Sequence, residues 1–207
     1  TTDADIDRRL LKKLLREVVE STFNRISVDG DMSTNDSVFC LANGVSGARI
    51  NAGSQGVRQF ALMLEQVCQR LALLIVEDGE GAFRIAKIEV VRARSDRDAL
   101  RCARQIATSS LVRTMLAGGD PNVGRVAAAA GASGAYFNPN VLEIRIGGHL
   151  IVSRGDTKPL GKDVARRLMA PHEVQIQVDL HAGKGRATMT ASDLTEAYVR
   201  LNAGYPT

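Results

Sequence analysis

At 207 residues with 44% hydrophobic content, the chain is long enough to bury a core as one large domain or two small ones. Only 4% of it is aromatic and it contains no Trp, which argues against a sugar- or base-stacking platform and leaves a core of Leu, Ile, Val and Ala. The formal charge of +4 is dispersed among Asp and Glu without interleaved aromatics, so the surface reads as solvated and mildly basic, with no nucleic-acid partner.

The chain opens on a helix, because Ile6, Leu10, Leu11, Leu14, Leu15, Val18 and Val19 recur at helical spacing with Asp3 or Asp5 available as cap. Ile26 and Val28 read as a strand end, and Asp29-Gly30 as the turn after it. The polar run over residues 29–37 is either a site or a loop whose Ser, Thr, Asn and Asp side chains satisfy their own backbone. A second helix is predicted from about residue 57 to 76, with Phe60, Leu64, Val67, Cys68, Leu71 and Ile75 as its apolar stripe and Asp78-Gly79 as its stop. Ile85 to Ala93 reads as a strand. Ser95-Asp96-Arg97-Asp98 then resembles a capping box with Asp in the role of Glu, opening a helix to about Thr108.

The run from Gly118 to Gly124 lacks the Lys-Ser/Thr of a phosphate loop, and Pro121 and Asn122 mark an ordered turn. Ala127 to Ala130 suits close packing. Residues 141–146 alternate apolar and polar, Gly147-Gly148 can turn, and His149 to Val152 returns as a hairpin. A short helix is expected over Lys162 to Met169. A second hairpin pairs residues 174–180 with 186–190 across the loop 182–185, and Asp193 is expected to cap a last helix ending near Asn202. Strands, helices and antiparallel hairpins together predict an α+β layered domain over residues 1–207, with subregions of about 1–135 and 136–207.

Cys40, Cys68 and Cys102 form no disulfide or metal pattern and read as reduced, buried thiols of a cytoplasmic protein. The amphipathic, charged start does not read as a leader, and the apolar run 71–76 is far shorter than a bilayer requires, so neither a signal peptide nor membrane association is expected. His149, His172 and His181 lack metal spacing, and no metal site is expected. Asp78-Gly79-Glu80-Gly81 sets two carboxylates among glycines at a helix end, where Glu80 suits the ammonium of an amino acid; the plain alternative is a Gly-rich helix stop.

Four blocks, in order, carry a resemblance that spans nearly the whole chain. They are the segment from Thr22-Phe23-Asn24-Arg25 to Asn43-Gly44 with its Val28-Asp29-Gly30-Asp31 and Ser33-Thr34-Asn35-Asp36, the block Asp78-Gly79-Glu80-Gly81, the block Gly119-Asp120-Pro121-Asn122-Val123-Gly124-Arg125, and the ending from Ala197-Tyr198 to Tyr205-Pro206-Thr207. They resemble the β chains of the ornithine acetyltransferase, or glutamate N-acetyltransferase, family. Two departures are Val123, where the family usually has Trp, and Arg113 after Leu111-Val112, where it has Lys. Neither position is assigned to chemistry.

The resemblance implies two sheets packed together with helices outside, the α/β/β/α sandwich of the self-cleaving aminopeptidases, completed by a separate α chain in an α2β2 heterotetramer. It implies transfer of acetyl from N-acetylornithine to glutamate in arginine synthesis, giving ornithine and N-acetylglutamate through an acetyl-threonine, with no cofactor and with acetyl-CoA open as a second donor. Oxyanion donors would come from the α chain. Carried onto this sequence, the substrate contacts fall on Glu80, Asn202 and Thr207. The family's nucleophile is a Thr freed by self-cleavage, and Thr1-Thr2-Asp3-Ala4 resembles the sequence about six residues beyond it, so that Thr is expected just upstream of Thr1. The alternatives are an amidase or aminopeptidase on the same scaffold and a non-catalytic basic binding module.

Overall fold

A computed structural model describes residues 1–204. The chain divides into two compact units, one of residues 1–26 with 32–74 and one of residues 27–31 with 75 onward.

In the first unit, β1 (Asp5–Ile6) is followed by α1 (Arg8–Ser21), and the chain leaves the unit along β2 (Ile26–Ser27). It returns through β3 (Arg49–Ile50), which pairs parallel with β1 in the register Asp5 to Arg49. The α1 cap is Asp7, whose Oδ1 accepts from the Arg9 and Leu10 amides at 2.9 and 3.1 Å. Asp3 and Asp5 do not cap because Asp5 is committed to β1. Along α1, Leu14 and Val18 are buried. The long helix α2 (Gln55–Glu77) begins where Ser54 Oγ accepts from the Val57 amide and ends before Asp78-Gly79, as its sequence predicts. It buries Cys68 and Ala72 and leaves Leu62, Met63, Val67, Leu71 and Leu74 exposed. At 23 residues, with a mean hydropathy of 1.3 in its most apolar window, α2 is by length and composition long and apolar enough to cross a membrane, so the run 71–76 understated it.

The second unit is a seven-stranded sheet backed by helices. In chain order it comprises β4 (Ile85–Ala93), α3 (Asp96–Thr108), α4 (Ser110–Gly118), α5 (Val123–Ala132), β5 (Glu143–Ile146), β6 (His149–Ser153), β7 (Asp156–Thr157), α6 (Lys162–Met169), β8 (Glu173–Asp179), β9 (Gly185–Ser192) and α7 (Glu196–Ala203). The sheet order is β2-β9-β4-β8-β5-β6-β7. The β5–β6 hairpin forms as predicted, with Gly147 and Gly148 at φ 56° and 77°, the pair of positive angles that a two-residue turn of this hand needs.

The second expected hairpin does not form. β4 lies between β8 and β9, parallel to β8 with Ile85 opposite Glu173 and antiparallel to β9 with Ile85 opposite Ser192. Its Ile85, Ala86, Ile88, Val90 and Ala93 are all buried, so β4 requires a partner on each edge. The connection from β8 to β9 crosses the end of β4: Leu180 N donates to Val91 O, and the amides of Ala182 and Gly183 to Arg92 O. A Cβ at Gly185 would stand 2.2 Å from the Ser95 carbonyl carbon, so only glycine passes this corner.

Ser95 opens α3 by accepting from the Asp98 amide, as expected. α3 packs on β4 and β9 through Ala99, Cys102, Ala103, Ile106 and Ala107. The small residues Ala129 and Ala130 let α5 close against it. Residues on both sides of 135, from Ala86 to Ala191, fill one core.

Candidate functional site

The site grows from the turn after α2. Gly81 has φ +64°, and a Cβ there would lie 2.6 Å from the Tyr198 amide nitrogen and 2.9 Å from Ala197 Cβ, so glycine lets α7 come down on the turn. Thr195 caps α7, its Oγ1 accepting from the Tyr198 amide and donating to Gly81 O. Asp193, expected as that cap, is buried and does other work: its carboxylate accepts from the Phe83 and Arg84 amides at 3.0 Å each, stapling the entry of β4 to the exit of β9.

This arrangement brings Glu80 and Asn202 together. Asn202 Nδ2 donates to Glu80 Oε2 at 2.7 Å and to Tyr198 O at 3.1 Å. Both residues are exposed, which leaves a carboxylate and an amide on an open surface where an amino acid's charged groups could be received. Thr207, the third expected contact, lies outside the described residues.

Arg113, on α4, is only 3% exposed. Its Nε donates to Ser192 O at 3.0 Å, and its Nη2 to Asp193 O, Ser192 Oγ and the carbonyl of Val28. Ser192 Oγ donates to the same Val28 carbonyl at 2.7 Å. One guanidinium thus ties α4, the turn after β9 and the strand end before Asp29. Burial lowers its pKa from the ordinary value, and the Asp29, Tyr198 and Asp193 charges oppose that shift. Tyr198 O–H donates to Asp29 Oδ2 at 3.3 Å, and its pKa is raised first by burial and then by the Asp29 carboxylate.

From sequence, Arg113 stands out only as a departure from the family's Lys with no role in chemistry, although a cation between Val112 and Met115 on the buried side of an apolar helix is a detectable break of pattern. The polar run 29–37 divides. Asp29 faces Tyr198, whereas Asp36 accepts from the Ser33 amide, Ser33 Oγ from the Asn35 amide, and Ser37 Oγ donates to Asn35 O, so these later side chains serve their own loop. The turn at 119–122 ends α4 with Gly119 in the left-handed conformation and leads into α5.

Among the described residues, Glu143, Asp179 and His181 gather ligand atoms within 4.8 Å of one another. The Arg92 guanidinium already engages them, bidentate on Asp179 at 2.5 to 2.8 Å and 2.9 Å from His181 Nε2.

Similarity to known proteins extends over the full chain. The sequence is 43% identical to an arginine biosynthesis bifunctional protein ArgJ of Geobacter sulfurreducens, covering 100% of this chain and 53% of that protein. It is 42% identical to a glutamate N-acetyltransferase of Methanocaldococcus jannaschii, again covering 100% of this chain and 53% of the relative. The chain therefore spans about half the length of the curated relatives it matches. A crystal structure of an arginine biosynthesis bifunctional protein ArgJ from Bacillus halodurans superposes with a TM-score of 0.94 at 37% identity, covering 99% of this chain and 97% of that one. The fold is therefore the α+β fold of that structure. Since the ArgJ family model also matches residues 1–207 without interruption, the chain that holds Glu80 against Asn202 belongs to the ArgJ family.

Proposed function

We propose that this chain is the β part of an acetyltransferase that moves acetyl from N-acetylornithine to glutamate in arginine biosynthesis. The observation that carries the reading is the 2.7 Å contact between Asn202 and Glu80, two residues far apart in sequence that meet on an open surface of a chain belonging to this family. In this reading Glu80 receives the substrate ammonium, and Asn202 and Thr207 receive its remaining polar groups. A threonine outside these residues takes the acetyl group as an ester and passes it to glutamate, and an α chain from the same precursor supplies the oxyanion donors.

The partner is supported by the first unit's exposed apolar side chains, among them Met32, Phe39 and Val45, each more than four-fifths exposed, and the bare row along α2. We place two α and two β chains in the assembly. A cytoplasmic setting is supported by the thiols of Cys40, Cys68 and Cys102, all free.

The test is to incubate the intact complex with N-acetylornithine, with and without glutamate. Formation of N-acetylglutamate matched by ornithine is the expected outcome. Acetate release at a rate that glutamate does not change would show a hydrolase instead.

A further inference from the structure

Away from the Glu80–Asn202 surface, the second unit holds a cavity of about 580 Å³ between the α4–α5 turn and α6. Arg84, Lys162 and Arg166 line it against a single carboxylate, Asp120. Arg166 also lies 3.7 Å from Asp163, but both side chains are more than four-fifths exposed, so that pair does little to neutralise it.

Arg84 is held in place. Its Nη1 donates to the carbonyls of Leu116 and Ala117 at 3.2 Å each, closing the end of α4, and its Cζ lies 4.9 Å from the centre of the Phe83 ring. Its Nε is buried and has no acceptor among the described residues. Across the cavity, α6 presents one face along its length, with Lys162 and Arg166 one turn apart on the same wall. A Cβ built on Gly118, which lines the cavity, meets nothing within 4 Å, so the backbone there is open to close approach.

We propose that this cavity binds a small phosphate-bearing anion. A single carboxylate, with one charge and two oxygens, would leave most of these donors unused. A phosphoryl group presents three oxygens and nearly two charges to a fixed guanidinium and two mobile cations, donors that recur at phosphate sites. The volume falls in the range of small-molecule sites. Another basic concavity among the described residues, lined by Arg9, Lys12, Lys13, Arg16 and Glu17, has only the charged side chains of one helix, which makes it the natural control.

The site is tested on the intact complex by calorimetric titration with inorganic pyrophosphate, and with succinate as a dianion lacking phosphorus. Saturable pyrophosphate binding is expected, weakened at least about tenfold by Lys162→Glu with Arg166→Glu and unchanged by Lys12→Glu. Lys162→Ala alone, followed by phosphorus NMR line broadening, gives the same reading from a milder change. No pyrophosphate binding to the wild type, equal loss in Lys12→Glu, or succinate binding as tightly as pyrophosphate would each overturn the proposal. Because binding and not activity is measured, failure here leaves the acetyltransferase reading untouched.

Discussion

Thr195 Oγ1 donates to the carbonyl of Gly81 at 2.7 Å, so the turn that carries Glu80 is fastened to the first turn of the helix that carries Asn202. The two substrate candidates are positioned by a neighbour of each, and their separation is set by backbone.

Glu80→Gln removes the charge offered to a substrate ammonium while preserving shape and the Asn202 contact. Affinity for the amino-acid substrate should fall about tenfold or more, with unfolding unchanged. Steady-state kinetics for donor and acceptor provide the check, and wild-type constants would reduce Glu80 to a helix stop.

Gly81→Ala should be felt both in stability and in binding. The left-handed backbone alone costs about 1 to 3 kcal/mol for a residue with a side chain, and the new Cβ would press on the Tyr198 amide nitrogen at 2.6 Å. A lower denaturant midpoint together with a raised KM is expected, because α7 must shift and take Asn202 with it.

Arg113→Met keeps the volume but strips donors from the carbonyls of Val28, Ser192 and Asp193. The expected loss is about 2 to 4 kcal/mol by chemical denaturation, since buried acceptors are left unmet, and Arg113→Lys should recover part of it. A change within about 0.5 kcal/mol would mean that water replaces the guanidinium at no cost.

Burial pushes the Cys102 thiol from an ordinary 9.0 up to about 11, with a bond to Ser133 pulling weakly the other way. A raised thiol pKa means that the fold favours the neutral form. The stability this contributes is complete below pH 9 and is lost as pH rises towards 11, on the order of 2 to 3 kcal/mol. Tyr198, also raised, adds a loss of the same sign above its ordinary 10. Thermal melts of wild type and Cys102→Ala across this range should diverge only above pH 9.

Much of this architecture could be read locally. The extents of α1 and α2, the β5–β6 turn and the Ser95 cap follow from periodicity and from residues that act within four positions of themselves, whereas Val67, Leu71 and Ile75 of the expected α2 stripe are exposed. What was misread depends on distant partners. Residues 174–190 have the look of a hairpin, and nothing within them shows that β4 would slide between the two strands. Asp193 precedes a helix and so looked like a cap, but its carboxylate was drawn to the Phe83 and Arg84 amides on another strand. Glu80 and Asn202 were named from family blocks, and their contact was not legible in either segment. Arg113's tethering role is not legible locally because its partners, Val28 and Ser192, lie 85 and 79 residues away.

The insertion of β4 also dictates when this molecule can become itself during synthesis. Its partners on both edges arrive late: Gln177 on β8 follows Glu89 by 88 residues, and β9 emerges later still. Synthesis must therefore reach β8 before β4 finds either neighbour, and until then Ile85, Ile88 and Val90 lack the cover that β8 and β9 give them. A truncation before β9 would leave β4 paired with β8 alone and expose its other edge.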